Sequence, residues 1–255
     1  LSRAGVAFAL LATLSLTGCD ATQPRPQRTP DDRLAFPAAD RPVATIVSAR
    51  WSTEESRDRL NEADQVMDLA DIRPGMTVAD IGAGEGYYTI RLAQRVGKDG
   101  RVLAEDIIPQ VRDALALRVA RERLDNVSVR LGEPDDPRLP DNSFDRIFMV
   151  HMYHEIEEPY AFLWRMRPSL RPGGLVVVVD SKRATQNHGT PPTLLECELA
   201  AVGYTRVAMR DMPSAGGYLA MFRAQGPRPE PGAIRACKNP GPSTTPSPGA
   251  DHQPS

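Results

Sequence analysis

Three cysteines in 255 residues are too few for a disulfide framework, and Cys19, Cys197 and Cys237 show no metal-ligand spacing. Positive charge is not in excess either. The 31 basic side chains stand against 33 acidic ones, a net of −2, so no basic field points to nucleic acid. Long apolar runs are scarce: Ala4–Leu16 stands out, and it is too short to span a bilayer comfortably. No internal repeat and no second domain is visible. What is present, 41% hydrophobic and 25% charged residues, suits one globular domain of ordinary composition.

The informative stretch is Val78-Ala79-Asp80-Ile81-Gly82-Ala83-Gly84-Glu85-Gly86-Tyr87. An apolar run from Met76 reads as a strand, and three glycines follow at alternate positions. Ile90, Leu92, Ala93 and Val96 then recur with helical period, and Gly97 is placed to stop that helix. Strand, glycine turn and helix form the first unit of a nucleotide-binding α/β sheet, whose ligands sit beyond the carboxyl ends of the strands. The spacing is G-x-G-x-G, not the G-x-G-x-x-G of the dinucleotide fingerprint.

With Asp80 two residues before the first glycine, this stretch resembles motif I of the class I S-adenosylmethionine (SAM) methyltransferases. Later landmarks come in that family's order. Arg101–Ala104 reads as a second strand closing in Glu105-Asp106, 24 residues from Gly82 to Asp106. Asn126–Leu131 alternates as a third strand before Gly132-Glu133-Pro134-Asp135-Asp136-Pro137. Leu139-Pro140-Asp141-Asn142-Ser143-Phe144-Asp145 leads into an apolar strand ending at Val150, and Leu170-Arg171-Pro172-Gly173-Gly174 precedes Leu175 to Asp180. The resemblance covers roughly Ser52 to Ala224. It implies a Rossmann-like α/β fold: a seven-stranded, mostly parallel sheet with helices on both faces. It also implies a SAM-dependent methyltransferase, whose alternative is a dehydrogenase or a SAM-binding protein without catalysis.

The implied cofactor residues are Asp80, Gly82, Ala83, Gly84, Tyr87, Asp106, Ile107, Asp135, Asp136 and His151. Asp106 would accept from the two ribose hydroxyls, since one carboxylate can receive both; a helix N-cap is the competing role. An acid of the third loop, Asp136 with Asp135 beside it, would receive the adenine amino group. His151 would line the pocket at the end of the fourth strand. Methyl transfer needs positioning more than a fixed catalytic residue, and a base only where the acceptor loses a proton. His154 with Glu155 is the candidate for that work, against a histidine that caps or packs. His151, His154 and Glu155 lack the H-E-x-x-H arrangement, so no metal is expected.

Elsewhere, Ser52 and Glu55 offer a capping box for a helix running towards Asp71, with Leu60, Ala63, Val66, Met67 and Ala70 as its apolar stripe. Thr193–Val202, Tyr204–Arg210 and Tyr218–Phe222 read as a closing helix and hairpin. Leu16-Thr17-Gly18-Cys19, after Arg3 and the apolar run, resembles a bacterial lipobox. The expected organisation is a lipoprotein signal peptide over 1–19 with lipidation at Cys19, a disordered tether over 20–50, the methyltransferase domain over 51–225 and a disordered Pro-rich tail over 226–255. The expected partners are a small-molecule acceptor and, through Cys19, the membrane, on the periplasmic side of the envelope; the alternative is a cytoplasmic protein. Whether Cys197 and Cys237 pair is left open.

Overall fold

The computed structural model describes residues 36–46 and 53–239. Its sheet has seven strands: β1 (Thr77–Ile81), β2 (Arg101–Asp106), β3 (Val127–Leu131), β4 (Phe144–Val150), β5 (Leu170–Asp180), β6 (Tyr204–Met212) and β7 (Gly217–Ala224). They lie in the order β3-β2-β1-β4-β5-β7-β6. The first five run parallel, and β7 is antiparallel to both β5 and β6. The expected architecture is the one observed.

The sheet is covered on both faces because its central strands carry apolar runs, residues 147–150 in β4 and 175–179 in β5, whose side chains alternate between the two. In β5, Val176 and Val178 pack into one core with Ile147 and Met149, while Val177 and Val179 pack into the other with Phe148. All four valines are fully buried, each worth about 1.5–3 kcal/mol relative to exposure. Helices α5 (Pro159–Met166) and α6 (Pro192–Ala201) cover the first face. The second is covered by α2 (Glu62–Leu69) and α3 (Tyr87–Val96), which follow α1 (Glu54–Arg59) in the chain. Helix α4 (Pro109–Arg121) packs beside β2 and β3 through Leu115 and Val119.

Two expectations change. The leading helix is not continuous: Asn61, at φ +54°, separates α1 from α2. Asparagine tolerates that left-handed conformation better than most residues. The break leaves Leu60 exposed instead of in the stripe and turns Ala63, Val66 and Met67 inward. Thr53, not Ser52, caps α1 by accepting from Ser56 N. Ser52 lies outside the described residues.

The second change concerns the segments expected to be disordered. Residues 36–46 and 226–239 lie on the domain and meet at a bridge between Asp40 and Lys238. Cys197 on α6 is disulfide-bonded to Cys237, and Cys237 N donates to Tyr160 Oη at 2.7 Å. Ala44, Ile234 and Cys237 are buried. Their proline-rich composition misled because a few apolar residues and one covalent bond are enough to hold them. The candidate lipidation residue Cys19 lies outside the described residues. No helix among the described residues is long and apolar enough to cross a membrane.

Candidate active site

The glycine turn opens the site. Gly82 and Gly84 sit at φ +65° and +55°, where a side chain would be strained. A Cβ on Gly82 would stand 2.9 Å from Met152 Cγ, so this glycine lets the loop after β4 close against the turn. A Cβ on Gly84 would meet nothing within 4 Å, which leaves the backbone open to a ligand. The turn is tied to the end of β2: Gly84 N donates to Asp106 Oδ2 at 3.1 Å and Ala83 N to the Glu105 carbonyl at 2.9 Å. Asp106 Oδ1 accepts from Ile108 N at 2.9 Å. Gly84, Asp106, Ile107 and Tyr87 thus line one cavity of about 1050 Å³.

Three acids gather beneath this turn. Asp80 faces away from the cavity and accepts from Thr89 Oγ1 at 2.6 Å; burial pushes its carboxyl up to about 6. It shapes the turn from below. Glu105 is pushed up to about 8, first by burial and then by neighbouring Asp106, so it holds its proton at neutral pH. Burial also raises Asp106, against the pull of backbone N–H groups. Asp106 and Gly84 sit side by side in the cavity wall, and Gly84 presents backbone with no side chain there.

Helices α1 and α2 close one side. The Tyr87 ring lies 3.9 Å from the guanidinium carbons of both Arg57 and Arg91, and its hydroxyl donates to Asp58 Oδ1 at 3.0 Å. Arg57 makes a two-point pair with buried Glu62, which also accepts from Tyr88 Oη at 2.9 Å. His151, at φ +54°, approaches the same carboxylate at 3.9 Å. Burial lowers its pKa to about 4, so the imidazole lining the cavity here is neutral.

The third loop does not place its acids in the cavity; Pro134 lines it instead. Asp135 pairs with Arg165, and Asp136 Oδ1 accepts from Arg138 N at 2.7 Å. The two prolines hold this loop in a tight turn that commits both carboxylates to the protein. The adenine role expected for Asp135 and Asp136 therefore has no geometric support.

At the far end of the cavity His154 is buried, with Nδ1 3.0 and 3.1 Å from the two oxygens of Asp180. Asp180 also accepts from Ser181 N and Thr190 Oγ1. A carboxylate only accepts, so Nδ1 carries the hydrogen, and Nε2 is the ring nitrogen left for another partner. Glu155, His188 and Arg183 line this end beside it. Arg57, Asp180 and His188 were missed in the sequence reading. Only Asp180 carried a usable signal, as an acid at the carboxyl end of a buried strand.

Residues 78–174 match the family model described as a methyltransferase domain. Nocamycin O-methyltransferase of Saccharothrix syringae is 42% identical over 83 residues, 32% of this chain and 30% of the relative. The ubiquinone/menaquinone biosynthesis C-methyltransferase UbiE of Hydrogenovibrio crunogenus is 32% identical over 126 residues, 47% of this chain and 48% of the relative. The chain thus spans less than half the length of these two curated relatives. A SAM-dependent methyltransferase from Aquifex aeolicus superposes with a TM-score of 0.55 at 25% identity, covering 67% of this chain and 97% of that one. The [4+2]-cyclase SpnF, at 18% identity and a TM-score of 0.57 over 74% of this chain and 89% of its own, shares the fold. With the glycine turn, Asp106 and the sheet order in place, the chain has the Rossmann-like α/β fold of these methyltransferases and matches the methyltransferase domain over residues 78–174.

Proposed function

We propose that the protein transfers the methyl group of SAM to a small-molecule acceptor. The observation that carries this is a single cavity whose lining holds Gly84 and Asp106 together with His154 and His188. SAM supplies a methyl carbon made electrophilic by the attached sulfonium. The chain does the rest by position: Asp106 and Gly84 hold the nucleoside, while Arg57 and Tyr87 close over it and exclude water. His154, fixed by Asp180, faces the acceptor end with Nε2, where it can receive the acceptor's proton.

Titration with S-adenosylhomocysteine (SAH) tests the cofactor end directly. Asp106→Ala should weaken SAH binding by about 1–3 kcal/mol, through lost charge-assisted hydrogen bonds, with the fold intact. An unchanged affinity in the folded variant would reduce Asp106 to a capping residue. NAD binding without SAH binding would overturn the methyltransferase reading itself. SAH binding with no transfer to a broad acceptor panel would favour a non-catalytic SAM-binding protein.

We further propose that the protein is exported and anchored through lipid on Cys19, with its domain on the periplasmic side. The Cys197–Cys237 disulfide supports this, because such bonds persist in oxidising compartments and are rare in the cytoplasm. Cys19→Ser expressed in a bacterial host should move the protein from the membrane to the soluble fraction. Equal distribution of the uncleaved wild type and variant in the cytoplasm would end the proposal.

A further inference from the structure

We propose that His154, His188 and Glu155 hold a divalent first-row transition-metal ion at the acceptor end of the cavity, where it binds an acceptor hydroxyl. One ligand atom from each side chain lies within 4.8 Å of the other two. Bonds of about 2.1 Å in a tetrahedral site place ligand atoms about 3.4 Å apart, so small side-chain rotations close the set. The two imidazoles already stand edge to face, ring centres 5.5 Å apart.

The shell behind His154 is that of a metal-ligating histidine. Buried Asp180 holds Nδ1 and is itself held by Thr190 and the Ser181 backbone. A carboxylate behind a histidine fixes its tautomer, orients its ring and raises the basicity of the coordinating nitrogen, here Nε2. The sequence reading expected no metal because it grouped His154 and Glu155 with His151. That histidine turns to Glu62 instead, and His188 arrives from the segment between β5 and α6. Arg183 lines the same end and adds an opposing positive charge, set against the carboxylates of Glu155 and Asp180.

Two imidazoles and one carboxylate suit zinc, iron(II), cobalt or manganese better than calcium or magnesium, which favour all-oxygen sites. Three protein ligands leave positions open for an acceptor oxygen. The acceptor role rests on the methyltransferase reading; metal binding does not. A metal-bound hydroxyl loses its proton to solvent more readily. Its oxygen lone pair then forms the O–CH₃ bond as the S–CH₃ bond breaks, and that electron pair stays on sulfur to give neutral SAH. With metal on Nε2, His154 serves as a ligand and the metal takes over the work of a base.

The test uses the full protein stripped with a chelator and titrated with Zn(II) against a chromophoric competitor, with SAH titrated in parallel. The expected result is one tight equivalent in wild type, weakened about 10–100-fold in Asp180→Asn and by more than that in His188→Ala. His188 is half-buried on a loop, so its variant should fold, as unchanged near-UV circular dichroism and SAH affinity would show. Absence of a stoichiometric site in wild type, or equal zinc affinity in His188→Ala, overturns the proposal. SAH binding without zinc binding removes the metal and leaves the methyltransferase; zinc binding without SAH binding does the reverse.

Discussion

Glu198→Ala is expected to destabilise the domain by about 3–5 kcal/mol, a large share of the stability of any domain this size. Glu198 and Arg41 are joined by a hydrogen-bonded ion pair of 2.9 Å with both side chains fully buried. The second oxygen of Glu198 accepts from Tyr153 Oη at 2.8 Å, and Arg41 also donates to the Ile156 carbonyl at 3.1 Å. Removing the carboxylate strands a buried guanidinium and a buried phenol without the acceptor they share. Replacing both partners by apolar residues, as in Arg41→Met with Glu198→Met, should cost far less, because no unpaired charge then remains buried. Urea unfolding of the three proteins decides this through the midpoint at constant slope. A single variant within about 0.5 kcal/mol of wild type would show that the pair is not buried in solution.

The pair sits behind the turn that carries His154. Arg41 and Ala44 belong to the segment that runs under Tyr153–Ile156, and Ala44 N donates to the His154 carbonyl at 3.2 Å. Thr185 Oγ1 reaches back to the Pro42 carbonyl at 2.5 Å. The disulfide secures the C-terminal segment beside them, on the same helix that carries Glu198. Residues 36–46 thus brace the segments that carry His154 and Thr185, and residues 226–239 lie beside them through the disulfide.

What could be read from the sequence follows from what is local. The β1–turn–α3 unit, Asp106 at the end of β2 and the apolar run 175–179 of β5 each carry a pattern within a dozen residues, and the structure repeats them. The acids of the third loop failed because a short loop with two prolines has no period from which a side-chain direction could be derived. Asp135 was claimed by Arg165, 30 residues away. Arg41–Glu198, 157 residues apart, and the Cys197–Cys237 bond join segments whose composition gave no sign of packing. His188 follows no regular element pattern, and its meeting with His154 is a product of tertiary structure alone. The glycine turn and the end of β2 were thus legible, and the meeting of His154, Asp180 and His188 was not.

His154→Ala is expected to lower methyl transfer by about 10²–10⁴-fold while leaving SAH affinity within about twofold. The separation follows from the contacts: the His154 ring is held by Asp180, while the glycine turn is held by Asp106. Both roles argued for Nε2, proton acceptor or metal ligand, act on the acceptor and so predict the same loss in turnover. Asp180→Asn should move in the same direction, since an amide can donate to Nδ1 and so drive the hydrogen onto Nε2, where it blocks both roles. The two roles part when metal is removed from wild type. A base works on after chelation, whereas a metal site loses turnover and regains it with added zinc. His154→Ala with wild-type turnover on a true acceptor would leave the histidine a buried partner for Asp180 and nothing more.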